Sequence, residues 1–493
     1  MIQIELSKKD FENDIRSLVM AFYPGEQITN KEILNPEDSV NPQDYMKIKT
    51  VFEEDSIGIS FLKNGVPILE NSITLNDSSH MERIVYKNQL KKLVYRSLCT
   101  ITGKTLPWGT LTGIRPTKIA LKGLENKCSK EEIETNFKSE YLCSDEKTNL
   151  CLSIAKRELT ILEKIDYKNG YSIYIGIPFC PTTCLYCSFT SYSIAKYSSY
   201  VDSYLQALYK EIEYAGTCFP NKKLTSIYIG GGTPTTLDAN QLDRLLTNIE
   251  DTFDFTYLKE FTVEAGRPDS ITAEKLKVLK KHDVTRISIN PQTMNQNTLD
   301  IIGRKHSVKQ VVEAFHLARE LGHDNINMDL IIGLPGENLD CVNTTLEEID
   351  KLNPDSLTVH TLAIKRAAYL NIYKERYAGM MEYDTKAMLL RTSQYAKSKG
   401  YVPYYLYRQK NMSENLENIG YSYEGKEAIY NILIMEERQT ILALGAGSSS
   451  KFVFPGGDRI ERVENVKDVK EYVERIDEMI LRKKQFIEGE FNG

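Results

Sequence analysis

No run of about 18 apolar residues occurs anywhere in this chain, which excludes a helical membrane span. Its opening, MIQIELSKKDF, lacks a basic segment followed by an apolar one, so no secretory signal is read and a cytoplasmic setting is expected. An excess of positive charge is also missing. The 62 Lys and Arg residues face 68 Asp and Glu, a net charge of -6, whereas a protein built to neutralise nucleic-acid phosphates would be basic. The short basic cluster Lys91, Lys92 and Arg96 reads as the solvated face of a helix. Tryptophan occurs once, and no internal repeat or low-complexity segment stands out. Nine cysteines in a large cytosolic chain do not suit a disulfide framework, so any tight cysteine cluster is read first as a metal or redox site.

What is present is globular in character: 41% apolar and 26% charged residues over a length of about three domain-sized units. Six short apolar runs alternate with amphipathic helical stretches: 171–178, 226–230, 260–264, 286–290, 325–331 and 356–361. Between them, spacings such as Leu242, Leu245, Leu246 and Ile249 mark helix faces. This is the pattern of six βα units around a parallel sheet, an α/β partial barrel. In such sheets functional groups gather at the carboxyl ends of the strands. Cys180, Gly231 with Thr233, Glu264, Gln292 and Asp329 are expected at or near the ends of successive runs.

The flanks differ. Residues 1–165 read as a separate α+β domain, with alternating Ile2, Ile4 and Leu6, a helix from Asp10 to Phe22, three apolar runs between Met46 and Leu75, and a long helix from Arg83 to Cys99. Its LPWGTLTGIRPTK stretch reads as a structural loop anchored by a buried Trp108. Residues 166–380 hold the barrel, and 381–493 form a mixed C-terminal region expected to close a substrate cleft.

In GIPFCPTTCLYCSF, Cys180, Cys184 and Cys187 sit in a loop just after the first strand. Three thiolates can hold three irons of a cubane and leave the fourth open to a small chelating ligand. Structural zinc wants four closed ligands, and no His or further Cys follows until Cys218. The glycine turn Gly230, Gly231, Gly232, Thr233 and Pro234 lacks the Gly-Lys-Ser/Thr ending of a phosphate loop. It offers backbone groups at close approach instead.

CxxxCxxC on a strand-end loop resembles the radical S-adenosylmethionine superfamily. YIGIPFC, GGGTPT, NPQ, IGRKHS, NMDLIIGLPGE and NPDSLTVHTLA resemble the oxygen-independent coproporphyrinogen III oxidase family, its haem-chaperone branch included. The N-terminal segment with its LPWGTLTGIRPTK-like stretch is similar to that of the HemZ-type coproporphyrinogen dehydrogenases. The resemblance implies a radical S-adenosylmethionine partial (β/α)6 barrel with a [4Fe-4S] cluster on the three cysteines. It also implies contacts to S-adenosylmethionine from Tyr174, Tyr186, Gly231, Gly232, Thr233, Glu264, Gln292, Arg304, Asp329 and Ala363, with Glu264 and Tyr174 the catalytic candidates. A reduced cluster would then cleave S-adenosylmethionine, and the resulting radical would take hydrogen from two propionates of a tetrapyrrole substrate, with loss of carbon dioxide, to give protoporphyrinogen IX. Partners implied are that substrate and an electron donor such as flavodoxin or ferredoxin.

Two positions depart from the oxidase pattern. Phe189 stands where the oxidase has a further cysteine, which the chaperone branch also lacks, and Gly176 stands where the family usually has His. A haem-binding chaperone, or a radical enzyme acting on another tetrapyrrole, therefore stays open beside the oxidase. A substrate with four carboxylates needs local positive charge, and Arg267, Arg366 and Arg408 are the candidates to meet it.

Overall fold

The computed structural model describes residues 1–32, 45–75, 81–113, 115–189, 191–365, 368–381, 384–409, 416–457 and 459–491. The chain divides into two compact units, Met1–Ala155 with Tyr407–Glu417, and Lys156–Leu406 with Asn418–Gly493.

In the first unit, β1 (Ile2–Leu6), β2 (Ile28–Glu32), β3 (Met46–Phe52), β4 (Ser56–Lys63) and β5 (Val66–Thr74) form a sheet of order β2-β1-β3-β4-β5. Alternation puts Ile2, Ile4 and Leu6 on one buried face. Against that core pack Ile15, Leu18 and Phe22 of helix Glu12–Phe22, and Leu90, Val94 and Leu98 of helix Arg83–Thr102. The second helix stops where Gly103 takes a left-handed φ of 66° and donates to Cys99 O. Lys91 and Lys92 of this helix correct the sequence reading. Both are buried rather than solvated, and burial lowers the Lys91 ammonium to about 8. Trp108 is fully buried, and its Nε1 donates to Glu417, 2.7 Å away, which also accepts from Lys147 at 2.7 Å. Gly109 is required beside it, because a Cβ there would lie 2.1 Å from Tyr141 O.

The second unit is built on β6 (Gly170–Ile177), β7 (Phe179–Cys180), β8 (Tyr192–Ser193), β9 (Lys223–Gly231), β10 (Glu260–Gly266), β11 (Arg286–Ile289), β12 (Ile326–Ile332), β13 (Ser356–Thr361), β14 (Val402–Tyr407), β15 (Asn418–Ser422), β16 (Thr440–Leu444), β17 (Ser449–Val453) and β18 (Ile460–Glu464). The short β7 and β8 pair with each other, and the remainder form an 11-stranded sheet of order β14-β15-β13-β12-β11-β10-β9-β6-β16-β17-β18. The six apolar runs are its six neighbouring parallel strands, β6, β9, β10, β11, β12 and β13. β16 adds a seventh parallel strand beside β6, and β15 closes on β13 antiparallel. The crossover helix whose stripe was marked in the sequence buries that stripe. Helix Ala239–Thr252 starts at a capping box of Asp238 and Gln241 and turns Leu242, Leu245, Leu246 and Ile249 inward. Each such side chain contributes about 1.5–3 kcal/mol by leaving water.

Candidate active site

The chain leaves β6, passes Pro178, and enters the cysteine loop, which is pinned from several sides. Leu185 N donates to Ile302 O at 2.9 Å, Thr182 Oγ1 to Gly303 O at 3.1 Å, and Cys187 N to Cys184 O at 3.1 Å. IGRKHS is therefore the shelf on which the loop rests. Cys184 is buried, whereas Cys180 and Cys187 are half-buried. Burial pushes the Cys180 thiol up to about 11, and charge on Cys187 and Cys184 would push the same way, so the three sulfurs feel one another.

The glycine turn is fastened to the same loop. Gly232 N donates to Ile177 O at 2.8 Å, and Thr233 N to Phe179 O at 2.7 Å. Thr233 Oγ1 reaches Cys180 Sγ at 3.6 Å. A Cβ on Gly232 would stand 2.6 Å from Phe179 O, 2.9 Å from Ile177 O and 3.0 Å from Cys180 Sγ, so only glycine fits. Gly231 next to it holds a φ of 107°. Gly232→Ala is expected to leave the circular dichroism of the fold intact while iron bound after reconstitution drops several-fold.

Deeper in the barrel, Glu264 accepts from Tyr228 Oη at 2.5 Å. Burial raises the Glu264 carboxyl to about 7, and the Asp329 carboxylate adds to the rise. Tyr228 stacks on Tyr430 with centroids 4.6 Å apart and on Tyr174 at 6.2 Å. Burial raises the Tyr174 phenol and Glu264 adds to it, so that hydroxyl stays neutral. Asp329 behaves oppositely. Burial works against its charge, but His360, 3.7 Å away, and Asn327, which donates at 2.7 Å, hold it below the usual carboxylate range.

Gln292 lies just past β11 at a φ of 68°, a left-handed conformation rare for a side chain of this size. Two backbone bonds hold it there, Gln292 N to Asp329 O at 3.0 Å and Ile331 N to Gln292 O at 2.9 Å. Strain of this kind gathers at functional sites. Asp329 stands in mid-strand, but because β11 stops at Ile289 it is level with Gln292. Arg304 Nη1 donates to Asn290 O and, at 3.0 Å, to Pro291 O. Tyr186 is held neutral by burial, with Cys184 adding to the effect and Arg304 opposing it.

Two groups thus emerge among the expected residues. Cys180, Cys184, Cys187, Tyr186, Gly231, Gly232, Thr233 and Arg304 surround the loop, and Tyr174, Glu264, Gln292 and Asp329 line the barrel beside it. Ala363 follows β13 at the same end of the sheet, related to the others by strand alignment. Sequence reasoning missed Tyr228 and Tyr430, and it assigned no role to His360. Tyr228 and His360 could have been found from strand alternation, since each shares an inward face with an expected residue of its neighbouring strand, Tyr174 and Asp329. Tyr430 lies far along the chain and carries no such signal.

The arginines assigned to substrate need correcting. Arg267 is 3% exposed and bound bidentately to Asp269, at 2.9 and 2.7 Å. Arg408 is as deeply buried, over the Trp108 ring at 5.2 Å, and donates to Leu111 O at 2.7 Å. Arg366 lies outside the described residues. The Gly176 position has room for more than glycine, since a Cβ there would meet nothing closer than 3.5 Å.

The donor set suits an iron–sulfur cluster with a chelating cofactor. Among the described residues no three His, Cys, Asp or Glu side chains converge on a single metal ion. Thiolates that each hold a different iron of a cubane need no such convergence. Gln292 Oε1 and Arg304 Nε are buried without hydrogen-bond partners, which suits a polar ligand able to supply them.

Comparison with known proteins agrees. Residues 174–349 match the model of the radical SAM superfamily. The oxygen-independent coproporphyrinogen-III oxidase-like protein HemZ of Bacillus subtilis is 46% identical over 409 residues, 82% of each chain. The haem chaperone HemW of Lactococcus lactis is 31% identical over 319 residues, covering 65% of this chain and 79% of that protein. In fold, the coproporphyrinogen III oxidase HemN of Escherichia coli superposes with a TM-score of 0.51 at 23% identity, covering 65% of this chain and 73% of that one. The chain therefore belongs to the radical S-adenosylmethionine superfamily, within its coproporphyrinogen oxidase-like family.

Proposed function

We propose that this protein oxidatively decarboxylates two propionates of coproporphyrinogen III without oxygen, giving protoporphyrinogen IX. The observation that carries the reading is the fastening of the glycine turn onto the cysteine loop, with Glu264, Gln292 and Asp329 in the barrel beside it. Cys180, Cys184 and Cys187 hold a [4Fe-4S] cluster, which when bound together with S-adenosylmethionine supplies a hydrogen-abstracting radical.

The chain's own groups bind and orient that cofactor. Gly231, Gly232 and Thr233 offer backbone to its methionyl part, Arg304 a cation, Gln292 its unpaired amide oxygen, and Asp329 a carboxylate for ribose hydroxyls. Ala363 and Tyr186 border it. Glu264 and Tyr174 face the reacting region, where buried walls exclude water. An electron donor such as flavodoxin or ferredoxin and a cytoplasmic setting complete the reading.

Haem chaperoning is the second reading, favoured by Phe189, which is 70% exposed beside the cysteine loop where the oxidases carry a cysteine. An anaerobic assay of the reconstituted, reduced protein separates the two. 5'-Deoxyadenosine and protoporphyrinogen rising together with substrate support the oxidase, whereas stoichiometric haem binding without a vinyl product overturns it.

A pH dependence follows from Glu264. Its pKa is raised, so the carboxylate is present above about 7 and lost below. If the charged form holds S-adenosylmethionine, affinity measured by equilibrium dialysis falls as pH drops from about 8 to about 6. Glu264→Gln flattens that profile at the low-affinity level.

A further inference from the structure

We propose that Arg267 is a positioning residue of the iron–sulfur cluster that raises its reduction potential, with Asp269 fixing the guanidinium in place. This rests on the cluster assigned above.

The geometry divides the guanidinium into two working edges. Nε and Nη2 are occupied by Asp269 Oδ1 at 2.9 Å and Oδ2 at 2.7 Å. Nη1 points the other way, into the cysteine loop. It donates to Thr182 Oγ1 at 2.8 Å, to Thr182 O at 3.4 Å and to Cys184 Sγ at 3.8 Å. Thr182 lies between the first two cluster cysteines, so one nitrogen holds both the loop backbone and a cluster sulfur.

The arginine is enclosed, and its backbone is held. Arg267 N donates to Ala265 O at 2.6 Å, and Ser270 Oγ to Arg267 O at 2.7 Å, which fixes the backbone from which the side chain starts. Asp269 stays ionised, since the Arg267 bonds overcome burial and hold it below the usual carboxylate range. His306, 3.8 Å from Asp269, does not compete for that charge. Burial and the neighbouring Arg304 lower its imidazole to about 3, which keeps it neutral.

Hydrogen bonds to cluster sulfurs and nearby positive charge favour the reduced cluster, because that state carries one more negative charge. The step affected is the entry of one electron from the reductant, with no bond broken and no proton moved. Arg267 thus serves the cluster rather than a substrate carboxylate.

The test is an electron-paramagnetic-resonance redox titration of the reconstituted full-length protein, without S-adenosylmethionine, alongside iron and sulfide content. Arg267→Met is expected to lower the reduction equilibrium constant at least tenfold, a shift of about 59 mV for a one-electron couple. Arg267→Lys, which keeps the charge without the fork, should fall between it and the wild type. Asp269→Asn, which removes the negative charge that offsets the guanidinium, should shift the potential the opposite way, upward. An Arg267→Met cluster that loads fully at unchanged potential overturns the inference, all the more if tetrapyrrole affinity drops instead. Should Arg267→Met fail to load, Asp269→Asn decides, and an unchanged potential there is equally fatal. A wild-type protein that binds no cluster would defeat the functional reading itself, and this inference with it.

Discussion

Cys184→Ala is expected to abolish the visible absorbance of the reconstituted cluster and all cleavage of S-adenosylmethionine, whatever the substrate. Cys184 is the most enclosed of the three thiols, under the Arg267 guanidinium, on a loop whose next residue is tied to Ile302. No other described cysteine can replace it, because no other lies on this loop and Cys218 follows a separate helix, Val201–Thr217. Two remaining thiolates leave two irons without protein ligands, and a cubane so held does not persist in solvent. The change removes a sulfur without adding bulk, so the fold should survive, with unfolding midpoints close to the wild type. Iron analysis, absorbance and 5'-deoxyadenosine yield are read on one sample. Retention of both the absorbance and the cleavage would refute the assignment of the loop.

Lys483→Met is expected to cost about 3–5 kcal/mol of stability, read as a lowered denaturant midpoint. Both Lys483 and Glu211 are fully buried, with Nζ 2.7 Å from Glu211 Oε1. Glu211 also accepts from Gly445 N at 2.8 Å, Asn465 Nδ2 at 2.8 Å and Tyr472 Oη at 2.6 Å. Removing the ammonium leaves a carboxylate buried with only neutral partners, and that desolvation outweighs the gain from an apolar side chain. Adding Glu211→Gln to Lys483→Met should restore much of the loss, because the double variant buries no charge. The network also reaches the active site. Tyr204 Oη donates to Gly176 O at 2.5 Å on β6 and accepts from Ala446 N at 3.2 Å, so the turn after β16 is held against the strand that leads into the cysteine loop. Cluster loading in the single variant should therefore decline before the barrel unfolds.

Local pattern made the parallel strands legible. β6, β9, β10, β11, β12 and β13 are continuous apolar runs because both of their faces are covered, and amphipathic spacing marked the helices between them. The cysteine trio and the glycine turn were readable for a related reason: close backbone approach and sulfur ligation each demand one residue type at one spacing, as Gly232 against Phe179 O shows.

What chain distance hides, the sequence could not order. β16 lies more than 260 residues from β6 in the chain, as does Glu211 from Lys483. Nothing local says that Thr440–Leu444 completes the sheet beside Tyr171–Ile175, or that Tyr430 stacks on Tyr228. The charged residues were the least legible. Lys91 and Arg267 look like surface or substrate-facing cations in sequence, yet both are buried. Whether a cation faces water, a propionate or a sulfur depends on its partners, and those are brought to it only when distant segments pack. The sequence by itself determined the barrel strands, the position of the cysteine loop and the family. Tertiary structure decided which charges are enclosed, and so which of them can act on the cluster.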